Sequence, residues 1–172
     1  MRLLPPGRLL APRPGLGKQS DPIEPIRLVR VARYRIEEYV RWEDIDAAGI
    51  INYQAYLRFF GLAEAELLRS AGLSYRFLFE SLGIWLPRAH VECDFHLPVK
   101  LDELLAVEAY FSRIGRTSVH LDFEVRRKAD PSRAVASGRY ILVFVRQKDF
   151  VPVPVPEEVR EKIARFVEPA PG

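Results

Sequence analysis

Hydrophobic and polar positions change their period along this chain, and each change marks an element. Over residues 27–41 apolar and polar positions alternate loosely, with Tyr34, Ile36 and Val40 apolar, which predicts a strand. Over residues 53–71 the period becomes 3.6. Tyr53, Tyr56, Leu57, Phe60, Ala63, Glu64, Leu67 and Leu68 then fall on one stripe of a helix. Asn52 stands at its N-cap position, Arg69 in its last turn, and Gly72 where it ends. Such a helix is roughly 28 Å long, enough to cross a whole sheet. A short second helix is expected over 74–82, ended by Gly83.

The remainder reads as strands. Residues 84–96 run to a break at Leu97-Pro98. Residues 103–114 put Leu105, Val107, Ala109 and Phe111 on one face. Gly115-Arg116 turns into 118–127, where Val119, Leu121, Phe123 and Val125 alternate with His120, Asp122, Glu124 and Arg126. Ala129-Asp130-Pro131-Ser132 turns again into 134–146. These last three strands form a meander with one buried face. A stiff Val-Pro connector over 151–156 leads to a terminal helix at 157–166, opened by Pro156. Strand, long helix and four further strands make an α+β domain. One helix covers one face of such a sheet, so the other face and the edges want a second subunit.

The chain of 172 residues has a single-domain length. Residues 1–26 are the one compositional break, rich in Pro, Gly and Arg without a regular period. They read as a disordered leader or an over-long start, with a transit-type address as the minority alternative. The domain follows at 27–150, and the connector and terminal helix at 151–172. Net charge is +3, and no nucleic-acid-binding signature is present. No apolar run reaches the ~20 residues of a membrane-spanning helix. Cys93 is the one cysteine, which excludes an intramolecular disulfide and a thiolate zinc site. His90, His96 and His120 lack metal-like spacing, so they are not expected to form a metal site. The default setting is cytoplasmic.

Chemistry concentrates in residues 41–60, RWEDIDAAGIINYQAYLRFF. The acids Asp44 and Asp46 precede a small-residue turn, Ala47-Ala48-Gly49, and the long helix opens just beyond. That order brings a carboxylate to the mouth of a helix N-terminus, where free backbone N–H groups and the dipole stabilise negative charge. A base or nucleophile beside an anion hole is what acyl transfer requires. The bland alternative for Asp46 is an Asx-type turn residue. For Asp44 it is a solvated turn acid.

With these residues the chain resembles the 4-hydroxybenzoyl-CoA thioesterase branch of the hotdog-fold acyl-CoA thioesterases. The resemblance rests on Asp46, Gly49, Ile50-Ile51, Tyr53 and Tyr56. It continues through Phe95-His-Leu-Pro98 with Asp102 and Leu104, and Arg113-Ile-Gly-Arg116-Thr-Ser118. It covers roughly residues 31–145. It implies an antiparallel five-stranded sheet wrapped around a long central helix, assembled as a homodimer or homotetramer, and hydrolysis of acyl-CoA without a cofactor. It also implies Asp46 as the catalytic carboxylate and the Tyr53 backbone N–H as the donor to the thioester carbonyl. Tyr56 would bound the acyl pocket, and Arg113 and Arg116 would receive the CoA phosphates. Departures at Ala47, where some members carry Pro, and at Asn52, where some carry an aromatic, touch the acyl pocket rather than the reaction class.

Whether Asp46 acts as nucleophile or general base stays open. Asn52 orients substrate or simply caps the helix. Glu64, on an otherwise apolar stripe, is a second base candidate or a structural acid salt-bridged across the subunit interface. An acyl-carrier-protein thioesterase and a non-catalytic acyl-CoA-binding module are the alternatives on the same fold.

Overall fold

The computed structural model describes residues 33–168. The leader at 1–26, the first residues of the expected N-terminal strand and the last four of the chain lie outside them. The element order is β1 (Tyr34–Tyr39), a 3-10 turn (Trp42–Asp44), α1 (Tyr53–Ser70), a π turn (Phe77–Ser81), β2 (Ile84–Trp85) and β3 (Arg88–Phe95). Then come β4 (Leu104–Ile114), β5 (Ser118–Arg127), β6 (Ala134–Val143), β7 (Val145–Arg146) and α2 (Glu157–Ile163), which runs into a 3-10 turn (Ala164–Phe166). Five strands form one antiparallel sheet in the order β1-β4-β5-β6-β3, and β2 pairs with β7 apart from it. The expected sheet, central helix and meander are all present.

Three expectations need correction. The strand foreseen over 84–96 is two strands in two sheets. Pro87 cannot donate to a ladder, so pairing stops there and the chain changes partner. The last strand divides likewise, into β6 and β7. The short second helix contains a π turn, and His96 falls just past the end of β3.

Helix α1 lies on the inner face of the sheet and buries Ala55, Tyr56, Phe59, Phe60, Ala63, Glu64, Leu67 and Leu68. Phe59 replaces Leu57 in the expected stripe, and Tyr53 at the first turn is 61% exposed. Opposite the helix, Leu105, Val107, Ala109 and Phe111 of β4 meet Val119, Leu121, Phe123 and Val125 of β5. Phe60 stacks on Phe123 at 4.5 Å and meets Tyr140 edge-on at 6.0 Å. Gly138 makes room for that ring. A Cβ there would stand 2.5 Å from the Phe60 Cε2 and 2.6 Å from the Glu92 carbonyl oxygen.

The outer face is charged and internally paired. Arg139 grips Asp122, and Arg33 bridges Glu124 and Glu168. Edge strand β3 is different: Val91 is 45% and Phe95 55% exposed, although both alternate onto the side of the sheet that carries the helix.

Glu64 is fully buried within this core. Its Oε1 accepts the Tyr75 hydroxyl at 2.7 Å, and its Oε2 accepts Arg88 Nη2 at 2.5 Å. Arg88 also lies 5.0 Å over the Tyr140 ring. The partner expected across a subunit interface is therefore in the same chain. Burial pushes the Glu64 carboxyl up, against the opposing pull of Tyr75 and Arg88.

Two stability measurements follow. Gly138→Ala should destabilise by about 1–3 kcal/mol in denaturant titration, because neither the packed Phe60 ring nor the β3 backbone has room to retreat. The second concerns Glu64. Its carboxyl holds a proton more tightly folded than unfolded, so its contribution is fully present below the ordinary carboxylate pKa and lost as pH rises through the raised folded value. The unfolding free energy of wild type minus Glu64→Gln should thus be greatest in acid and decline with rising pH. A difference that grew with pH would reverse the assigned direction.

Candidate functional site

The site is built on the segment between β1 and α1. Asp44 anchors it, with only 2% of its surface exposed. Its carboxylate accepts the Arg41 backbone N–H at 2.9 Å and Arg58 Nη2 at 2.6 and 2.7 Å. Its carbonyl oxygen accepts both the backbone N–H of Asn52, at 2.7 Å, and the Asn52 Nδ2, at 2.9 Å. Asp44 is thus a buried, paired acid and not the solvated turn residue that its sequence neighbourhood suggested.

Between those anchors the chain makes a tight excursion. Ile45 and Ile51 bridge antiparallel, and the Asp46 N–H donates to the Ile50 carbonyl at 2.9 Å. Gly49 closes the loop at φ 73°, a conformation costly for any residue with a Cβ. Asp46 sits at the exposed tip, where its Oδ1 accepts the Ala48 N–H at 2.8 Å. The Asx-type turn is therefore real. It fixes the carboxylate through one oxygen only.

Asn52 caps α1: its Oδ1 accepts the Ala55 N–H at 3.0 Å. Its side-chain amide is thereby engaged at both ends. The N–H groups of the first helical turn have no intrahelical acceptor by geometry. That of Tyr53 meets no protein acceptor among the described residues.

These groups open on a cleft of about 470 Å³. One wall is Asp46, Ile50, Ile51 and Tyr53; the other is residues 95–98; Tyr56 lies between. The Tyr56 ring packs 5.4 Å from that of Phe95, and burial holds its phenol neutral, pushed up to about 12. Its hydroxyl has no protein partner among the described residues, yet no buried side-chain polar atom among them lacks one. The hydroxyl therefore reaches the cleft surface. His96, on the far wall, is bonded through Nε2 to Ser137 Oγ at 2.8 Å. Burial pushes the Cys93 thiol up to about 11, which leaves it a weak nucleophile.

The structure thus gathers Asp46, Tyr53 and Tyr56 on one cleft, with Asn52 beside them as a cap. It does not bring in Glu64, which is buried farther along α1 with both oxygens engaged. Arg113 near the end of β4 and Arg116 in the β4–β5 turn are exposed and do not line the cleft of their own protomer. The far wall at 95–98 was not read from sequence as part of a site. Its signals in the sequence were the break after a strand and the share of Phe95-His-Leu-Pro98 in the family resemblance. Among the described residues no group of three or more His, Cys, Asp or Glu is placed to hold a metal.

A family model described as the Thioesterase-like superfamily matches residues 40–163, which include the loop, α1, the cleft and all strands but β1. A 1,4-dihydroxy-2-naphthoyl-CoA hydrolase of Synechococcus elongatus is 24% identical over 132 residues, 76% of this chain and 95% of the relative. The acyl-CoA thioesterase YbgC of Haemophilus influenzae is 26% identical over 121 residues, 70% of this chain and 87% of that one. Among solved structures, a 1,4-dihydroxy-2-naphthoyl-CoA thioesterase from Synechocystis superposes with a TM-score of 0.71 at 20% identity, covering 77% of this chain and 96% of its own. With the family model spanning most of the chain and the same sheet-and-helix architecture in its neighbours, this protein belongs to the Thioesterase-like superfamily on the hotdog fold.

Proposed function

We propose that this protein hydrolyses an acyl-CoA thioester to the free acid and CoA in the cleft between the loop at 45–51 and residues 95–98. The observation that carries this reading is the meeting of Asp46 and Tyr53, the first residue of α1, on one cleft. The thioester carbonyl oxygen accepts from the Tyr53 N–H, where the helix dipole adds to the stabilisation of developing negative charge. The carbonyl carbon faces Asp46. As a base, Asp46 takes a proton from water, the water oxygen bonds to carbon, and the C–S bond breaks to release the thiolate. As a nucleophile, it bonds to carbon itself, expels the thiolate and leaves a mixed anhydride for water to cleave. The carboxylate oxygen not held by Ala48 suits either route.

The acyl end of the cleft, formed by Ile50, Ile51, Tyr56 and Phe95, suits a bulky apolar or aromatic acyl group. The 1,4-dihydroxy-2-naphthoyl-CoA hydrolase of Synechococcus elongatus, named for an aromatic CoA thioester, supports that choice. Arg113 and Arg116 would meet the nucleotide phosphates beyond the mouth of the cleft. The working unit is a homodimer or a pair of dimers. Strand β3 leaves one edge of its backbone unpaired and Val91 and Phe95 uncovered, and a second copy laid along it would cover both. Phe95 also lines the cleft, so the same contact would close the site.

Asp46→Asn should lower kcat by ~10²–10⁴-fold on short, long and aromatic acyl-CoAs, with the fold and CoA binding retained. Free-thiol release is the readout, and near-normal turnover by the variant across the panel would refute the assignment. An acyl-carrier-protein substrate with a matched acyl group belongs in the same panel. Val91→Lys should shift the assembly toward monomer in analytical ultracentrifugation and lower turnover in parallel. A variant that sediments like wild type would rule out β3 as the contact.

A further inference from the structure

We propose that Arg127, at the end of β5 and outside the cleft, is a positioning residue that fixes the spacing between the two cleft walls. The inference rests on the reading of the cleft as a thioester site.

Arg127 uses its guanidinium as a fork. The Nη2 donates to the Pro98 carbonyl oxygen and the Nε to Glu103 Oε2. The other Glu103 oxygen accepts the Lys100 N–H at 3.1 Å. The crossover from β3 to β4 is thereby held at positions 98, 100 and 103 by one ion pair. That crossover carries Val99, fully buried, whose carbonyl oxygen accepts the Ile51 N–H at 2.9 Å. Ile51 stands two residues before Tyr53 and bridges Ile45, the neighbour of Asp46. Pro98 belongs to one wall and Ile51 to the other. The two walls therefore meet through adjacent residues, Pro98 and Val99, and Arg127 sets the orientation of that peptide.

Two further observations bear on this crossover. The charges of Arg127 and Glu103 act on the Tyr56 phenol between the walls. Asp102, next to Glu103, turns the crossover at φ 65°, a left-handed conformation that aspartate adopts more readily than most residues with a Cβ. A planar fork that reaches a carbonyl and a carboxylate together is a property of arginine, which lysine cannot reproduce.

Amide hydrogen exchange and steady-state kinetics on Arg127→Gln and Arg127→Lys test this. Exchange at Ile51 and through residues 45–51 should rise on the order of tenfold in Arg127→Gln, while the interior of α1 keeps its protection. Turnover should fall by about 10–100-fold in kcat with little change in KM, since a displacement of about 1 Å costs that much. Arg127→Lys should recover only part of both. Should Arg127→Gln fail to fold, Glu103→Gln tests the same ion pair from its other end. Unchanged exchange at Ile51, or protection lost evenly along the chain with a matching fall in Tm, would overturn the proposal. The exchange result stands whether or not wild type releases thiol. Absence of thiol release from wild type would count against the thioester reading alone.

Discussion

The buried carboxylate of Asp44 is the constraint on which the site depends. A charge so removed from water is tolerable only when paired and hydrogen-bonded, and here Arg58 and the Arg41 amide do both. Arg58 sits on α1, between one and two turns beyond the cap. The ion pair therefore locks the incoming loop to the helix it precedes. The carbonyl of the same residue receives two donors from Asn52, the N-cap. One residue thus fixes where the helix begins and from which direction the chain reaches it. Everything between Ile45 and Ile51 has its ends set by that knot.

The sheet supplies the second coordinate. Phe60 lies deep against Phe123 because Gly138 offers no Cβ, and this sets how closely α1 approaches the strands. Tyr56, one helical turn earlier, is thereby set against the inner face beside Phe95. Depth comes from the core and direction from the loop, and the cleft lies where the two meet. Glu64 deeper along the helix contributes to the first of these, with its partners Tyr75 and Arg88 inside the same chain.

Much of this was legible in the residues. The 3.6 period over 53–71, the cap at Asn52 and the alternation from Leu105 to Val125 are local signals, and local signals survive folding. The order of acid, small-residue turn and helix placed Asp46 beside the start of α1 for the same reason. What escaped notice depends on pairs distant along the chain. Nothing near Asp44 announces Arg58, and nothing near Pro98 announces Arg127. Pro87 was visible as a breaker, but the exchange of sheet partners it enforces depends on where Val145 and Arg146 fall. The far wall at 95–98 faces the loop only because β3 lies at the edge of the sheet, which is a property of topology rather than pattern.

The free amide at the start of α1 belongs to the main chain, and this has an evolutionary corollary. Every amino acid except proline supplies that N–H, so position 53 can vary in size, charge and aromaticity without loss of the hydrogen-bond donor. The same position carries a solvent-facing side chain at the rim of the cavity. Divergence at this one codon can therefore reshape the entrance while leaving the main-chain donor in place.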